Sequence, residues 1–395
     1  MTAVLAFAVV LLAAVLVSGL AHRTVLSTAV LFLVAGFLLG DGMAGVLRVR
    51  IEDPVVATLA ELALFSVLFT DGMLVPLKDL RGPSRLPGRA LLIGLPLTLG
   101  GTAVLAHVVA GLPWAESFLL GAALSPTDPV FAAAIVGRAE VPARLRHLLN
   151  VESGLNDGLA LPVVVVLLAV VAGGDVDPAK LAAEVIGGVA LGVAIPYAAI
   201  RLERLRWFSA TTAYEPLNAF AIGLLVLAAA SLTHANEFLA AFAAGVTVAT
   251  TSPPIRNAFH QFGDLVAEIL KLAALLLFGS LISPHFLSDI PVSGYFFALL
   301  ALVVVRPAAL AVALRGSDLS RREWIAAAWF GPKGFASVVY GLLILSSGIS
   351  SANELFHLAA LVIVISIIAH GSTDVIVVRR FSDRTDEIGD DGPEE

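Results

Sequence analysis

The chain has no cysteine and few charged residues. The first absence removes disulfides, thiolate metal sites and thiol redox chemistry. The second is more informative. Charged residues make up 14% of 395 positions against 58% hydrophobic ones, with a mean hydropathy of +0.95, which excludes a water-soluble core of this length. Also missing are the ~10-residue alternating segments of a membrane barrel; the apolar residues come in continuous runs of roughly 20. There is no Gly-rich phosphate loop with its Lys-Ser/Thr, no metalloprotease histidine pair and no Gly-x-Ser-x-Gly elbow, so no enzyme chemistry, nucleotide, nucleic acid or cofactor is predicted. What remains is an all-α polytopic membrane protein.

Candidate spans are 2–20, 25–43, 55–77, 90–111, 116–137, 147–172, 180–200, 214–233, 236–253, 264–283, 293–314, 323–346 and 352–378, which makes about thirteen transmembrane helices. The basic residues test that count, because cytoplasmic loops should hold them. One side receives Arg23; Lys78, Arg81, Arg85 and Arg89; Arg138, Arg144 and Arg146; Arg201, Arg204 and Arg206; Arg256; Arg315, Arg321 and Arg322; and Arg379, Arg380 and Arg384. The other receives Arg48, Arg50 and Lys180. The asymmetry places the N-terminus outside and the C-terminus in the cytoplasm. Residues 2–20 lack the basic flank of a signal peptide and fit an N-out first helix. Residues 380–395 form a short acidic tail, and Asp383 to Glu395 read as disordered.

Two spans are interrupted. The fifth carries Ser125-Pro126-Thr127-Asp128-Pro129 and the twelfth Phe330-Gly331-Pro332-Lys333-Gly334-Phe335. They lie seven spans apart, and an odd offset requires halves of opposite orientation. The expected architecture is therefore two inverted six-helix repeats with crossing broken helices: repeat one over about 1–172, a linker helix at 180–200 and repeat two over about 214–378, together a transmembrane domain of 1–379. Matching breaks in two inverted halves point to a midplane binding site in a secondary transporter. Ordinary proline kinks are the competing explanation, weakened because each break also carries a charge.

Breaks of this kind free backbone groups that lipid cannot satisfy, so they must be buried in protein or line a wet cavity. Four half-helix ends would meet near the membrane centre, with Asp128 placed to offset the positive ends and Lys333 the negative ones. On span 6, Ser153 and Asp157 form one polar edge and Glu152 and Asn156 another, about 100° apart. Asp157 with Asp128, the Ser153 hydroxyl and a freed carbonyl such as that of Thr127 would make an all-oxygen site, suited to hard monovalent cations and to protons. Burial disfavours the charged form of a carboxylate, so such a group takes up either a proton or a cation. That competition is exchange. Arg306 needs a buried partner, and Glu152 is the candidate; the pair is assigned to architecture, steadying the crossing.

Other polar residues within spans are weaker signals. Asp71, near the inner end of span 3, lines a cytoplasmic funnel or snorkels to the interface. Glu61 is deeper and has no assignable partner. Lys271 and Glu268 fall in the first turns of span 10 and read as an interfacial pair. Glu215-Pro216 reads as the entry to span 8, and His147 as a solvated loop histidine.

Ser125-Pro126-Thr127-Asp128-Pro129 followed by Glu152-Ser153-x-x-Asn156-Asp157 resembles the sodium/proton exchanger family, in the branch that includes the prokaryotic NhaP antiporters and the animal exchangers. The likeness extends to Arg306, Glu215-Pro216 and Phe238-Leu239-Ala240, and loosely to the whole chain. It implies thirteen helices, a homodimer, and a core domain moving against a dimerisation domain by an elevator-like motion. It also implies ion (Na+) coordination by Asp128, Ser153, Asp157 and the Thr127 carbonyl, with Asn156 holding the crossing and Glu152 paired to Arg306. An Asn before the aspartate resembles the electroneutral one-for-one branch. Gly331-Pro332-Lys333-Gly334 departs from the family's usual Gly-Leu-Arg-Gly, and Asp71 stands where some members carry an acid that touches the ion. The large cytoplasmic domain of many relatives is expected to be absent.

The reading is an electroneutral antiporter of the cytoplasmic membrane exchanging Na+ or Li+ for H+. Its rivals are K+/H+ exchange and a channel or non-transporting sensor on the same fold, which would not need two titratable aspartates.

Overall fold

In a lipid environment every backbone N–H and C=O must find its partner within the protein, and this chain meets the requirement with helices almost throughout. The computed structural model describes residues 1–21, 28–48, 54–74, 85–128, 141–173, 177–205, 211 and 214–389. Pro129 and the remainder of the fifth span to 137 lie outside the described residues, as do Arg23, Arg50, Lys78, Arg81, Arg138 and Arg206 of the charge pattern.

Fourteen helices position the site. They are α1 (Thr2–Ala21), α2 (Thr28–Leu39), α3 (Pro54–Leu74), α4 (Leu86–Ala110), α5 (Trp114–Leu124), α6 (Ala143–Val171) and α7 (Pro178–Glu203), then α8 (Glu215–Thr233), α9 (Glu237–Thr251), α10 (Pro253–Leu281), α11 (Val292–Ala313), α12 (Arg321–Trp329), α13 (Phe335–Ser346) and α14 (Ala352–Gly389). Among the described residues six helices are long and apolar enough to cross a membrane, namely α4, α6, α7, α8, α11 and the Ala352–Thr373 part of α14. Strand pairing among the described residues is confined to one bridge between Gly40 and Leu47.

The helices sort into two packing groups. In one, α2 and α3 lie against α10, α3 and α7 against α9, and α8 against α7, α9 and α10. In the other, α5 lies against α4 and α6, while α11 and α14 close around α4, α12 and α13. The first group is sealed by glycines that let backbones touch, as small residues do in membranes. Gly36 of α2 faces the Leu276 carbonyl of α10, and Gly279 of α10 faces the Leu33 carbonyl; Gly72 of α3 and Gly245 of α9 stand in the same reciprocal relation to Phe242 and Phe69. The groups meet where α3 touches α6 and α13, and where α10 touches α13. That seam holds the polar residues.

Both α4 and α11 depart from regular α geometry, with π turns at Ala90–Gly94, Ala106–Ala110 and Ala301–Val305. The last ends immediately before Arg306. A π turn shifts the register of the residues after it, and Arg306 is buried.

Three expectations are corrected by these elements. The tenth span does not begin at 264: α10 starts at Pro253, with Pro253-Pro254 in its first turn where proline is well tolerated. Lys271 and Glu268 therefore lie well inside a 29-residue helix, not in its first turns. The tail is not unstructured from Asp383, since α14 continues to Gly389; Ser372 to Ile388 contains no Gly or Pro to stop it. Residues 390–395 lie outside the described residues. Glu61 has a partner: its side chain meets Glu237 at the start of α9. Glu215, by contrast, does open α8, with Pro216 in its first turn.

Candidate functional site

Proline decides where the site forms. α5 ends at Leu124, and Ser125 to Asp128 continue without helical structure. α12 ends at Trp329, and Phe330 to Gly334 run irregularly to α13. These two interruptions bond to each other. The Asp128 amide donates to the Pro332 carbonyl (2.9 Å), and the Phe335 amide donates to Asp128 Oδ2 (2.7 Å). Lys333 Nζ donates to the Ser125 and Pro126 carbonyls, 3.4 Å from each.

Each of the three half-helix ends among the described residues thus faces a charge of opposite sign. The N-terminus of α13 meets the Asp128 carboxylate, and the C-terminal side of α5 meets the Lys333 ammonium. The C-terminus of α12 meets Arg306, whose Nη2 donates to the Ala327 and Phe330 carbonyls at 3.3 and 3.2 Å. Gly334 and Gly331 are required by this closeness. A Cβ on the first would overlap the Asp128 carboxylate, and one on the second the Arg306 guanidinium.

From the same helix group as the breaks, α6 supplies Glu152, Ser153, Asn156 and Asp157, all buried. Glu152 accepts from Arg306 through both oxygens, at 2.7 and 3.1 Å. Asn156 Nδ2 donates to Thr127 Oγ1 (2.7 Å), and Ser153 Oγ lies 3.1 Å from the same hydroxyl. The two edges of α6 anticipated from spacing are therefore divided differently: Ser153 and Asn156 share Thr127, while Glu152 turns to Arg306. Asp157 is fixed through its backbone, since the Tyr340 hydroxyl donates to its carbonyl at 2.8 Å. Among the described residues its Oδ1 has no hydrogen-bond partner, and neither have Asn156 Oδ1, Asp71 Oδ2 or Ser337 Oγ. Unpaired buried oxygens are costly. A cation, a proton or water would satisfy them.

Asp71 is buried on α3, so it does not snorkel. Asp157 lies within electrostatic reach of Asp71, Asp128, Lys271 and Lys333. Among the described residues no three carboxylates or imidazoles converge closely enough to hold a metal ion on their own; any ion here would rely on hydroxyl, amide and backbone oxygens as well.

Several participants escape sequence reasoning. Tyr340 and Ser337 look like ordinary residues of an apolar helix. His370 on α14 places its Nε2 3.0 Å from the Trp329 carbonyl, and Ser366 accepts from the Lys333 amide at 2.7 Å, so α14 also supports the second break. Lys271 lies deeper than its sequence context suggests. The available signal is Ser252-Pro253-Pro254, a helix start that the charged residues after it obscure. His147 is exposed on the first turns of α6.

Fold and site together describe a multi-pass helical membrane transport protein, with two interrupted helices meeting beside buried carboxylates. The family "Sodium/hydrogen exchanger, transmembrane" matches residues 8–380, and the chain belongs to it. Relatives include the K(+)/H(+) antiporter NhaP of Alkalimonas amylolytica, 25% identical over 374 residues, which cover 93% of this chain and 65% of that protein. The K(+)/H(+) antiporter NhaP2 of Shewanella baltica is 25% identical over 370 residues, 91% of this chain and 63% of that one. The chain thus spans somewhat under two thirds of the length of these relatives. Among solved structures, the sodium proton antiporter MjNhaP1 of Methanocaldococcus jannaschii superposes with a TM-score of 0.78 at 16% identity, covering 96% of this chain and 97% of that one. That likeness establishes the fold.

Proposed function

We propose that this protein is a secondary active antiporter exchanging a monovalent cation, Na+ or Li+, for H+ across the cytoplasmic membrane. The observation that carries the proposal is the meeting of the two broken helices at Asp128 and Lys333, next to an Asp157 carboxylate with an unpaired buried oxygen. Asp157 is the exchanging group, taking a proton or a cation but not both. Thr127, Ser153 and Asp128 contribute the other oxygens, and Asp71 lies on the ion pathway. Asn156, Glu152, Arg306 and Lys333 hold the crossing. Glu152 and Arg306 cancel each other, so one-for-one, electroneutral exchange follows from a single titrating carboxylate.

The architecture proposed with it is thirteen spans in two inverted repeats, N-terminus outside and C-terminus cytoplasmic, assembled as a homodimer. Two features support the repeats: the breaks in the fifth and twelfth spans, and π turns in both α4 and α11, which are the fourth and eleventh. Alternating access would then slide one helix group along the seam against the other.

K+/H+ exchange is the second reading, favoured by the names of the relatives from Alkalimonas and Shewanella. The deciding experiment is ΔpH dissipation in everted vesicles with Na+, Li+ and K+ added separately, for the native protein and Asp157→Asn. Dissipation by Na+ or Li+ alone, lost in the variant, upholds site and ion. A response to K+ alone keeps the mechanism and changes the ion. No response in folded protein, or an active Asp157→Asn, refutes the proposal.

A further inference from the structure

Among the described residues, one basic residue near the site donates no hydrogen bond to the broken helices. Lys271 projects from the interior of α10, and its side chain is 15% exposed. It lines a narrow cleft with Asp128, Gly334 and Phe335 on one wall and Glu268, Leu272 and Leu275 of its own helix on the other. Its ion pair with Glu268 is loose, at 3.7 Å, and Glu268 is itself 36% exposed. A lysine buried to this degree requires anions. Those facing it are Glu268 from α10, Asp71 from α3, Asp128 from the first break and Asp157 from α6. The portions of α2, α13 and α14 that reach the cleft contribute Ala29, Phe335 and Ile367, none of them titratable.

Lys333 and Lys271 differ in attachment. Lys333 is held by two carbonyls within the crossing it caps. Lys271 belongs to the opposite helix group and reaches across the seam on a flexible four-carbon stem. An ammonium is a compact monovalent cation, and any cation bound by these aspartates must enter the field of this one. We propose that Lys271 is a tethered competitor of the transported cation: held loosely by Glu268, it keeps its charge in the same cleft as Asp128 and within electrostatic reach of Asp157, and so sets the apparent cation affinity of the carrier. This rests on the reading of Asp157 and Asp128 as the exchange site.

Removing the competitor should tighten cation binding and also strengthen proton retention by the same carboxylates. In proteoliposomes assayed at a pH above the titration of the site, Lys271→Met is expected to lower the apparent KM for the transported cation about three- to tenfold, and across the pH range to move the midpoint of exchange about half to one unit alkaline, as expected for losing one nearby charge. Lys271→Arg, which keeps the charge, should stay near the native values. Glu268→Gln should act oppositely, raising KM and shifting the midpoint toward acid, because the ammonium loses its alternative partner. A residue that merely filled space would lower the rate without moving KM and pH midpoint in these paired directions. The proposal is overturned if folded Lys271→Met keeps the native KM and pH midpoint, or, where that variant does not fold, if Glu268→Gln shifts neither. An active Asp157→Asn control would instead overturn the site on which the proposal rests, so the two failures are distinguishable.

Discussion

Breaking the Glu152–Arg306 pair should reveal whether it supports the crossing or binds the ion. Both side chains are almost fully buried, at 6% and 7% exposure for Arg306 and Glu152. Arg306 donates to both Glu152 oxygens and to two carbonyls at the end of α12. In Glu152→Gln the guanidinium keeps its charge and loses its counter-ion, a change that costs about 3–5 kcal/mol at buried sites. Arg306→Met strands the carboxylate and uncaps α12, for a similar loss. The double variant Glu152→Leu/Arg306→Met leaves no buried charge and forfeits only the caps, about 1–3 kcal/mol. The singles are therefore expected to be strongly non-additive, with a coupling of several kcal/mol, roughly the size of the pair interaction itself. Thermal unfolding of a fluorescent fusion in detergent would read this as a drop of about 4–6 °C for each single variant on the entropy scaling of globular chains, with the double losing less than either. Additive losses would refute the argument. So would a Glu152→Gln protein of native stability that no longer exchanges ions, since that result moves Glu152 into the ion site.

Three further outcomes are expected. Gly334→Ala should abolish exchange while Asp128→Asn/Gly334→Ala does no better, because the added methyl occupies the space of the Asp128 carboxylate; native transport by Gly334→Ala would contradict the crossing geometry. Lys333→Met should cost about 1–3 kcal/mol by uncapping the Ser125 and Pro126 carbonyls, seen as a lower unfolding temperature, whereas Lys333→Arg retains the charge and most of the stability. Proton and cation competition should appear in the kinetics: below the titration of the site, each unit fall in pH raises the apparent KM for the cation about tenfold while the maximal rate changes little, and a KM that stays flat across the acid limb would exclude a shared carboxylate.

The class of protein is legible without coordinates, because hydropathy is a property of composition and lipid admits few backbone solutions. So are the two breaks, since proline acts locally on the helix that contains it, and so is the pairing of Glu152 with Arg306, since a buried arginine must find an acid. The extent of each helix is less accessible. Charged residues in the first turns of α10 hide a start that Pro253-Pro254 marks, and Lys271 consequently reads as interfacial rather than deep. The continuation of α14 to Gly389 is hidden by acidic composition, which reads as disorder where no residue breaks the helix. Residues such as Tyr340, Ser337, Ser366 and His370 carry no local mark of their role; each matters only through a partner far along the chain. The sequence by itself determined which groups had to be buried and where helices had to stop. Only the tertiary structure decided which end faces which charge, that Thr127 is shared by Ser153 and Asn156, and that Lys271 shares a cleft with Asp128, because those relations depend on how separate helices pack, and no local propensity encodes packing between distant segments.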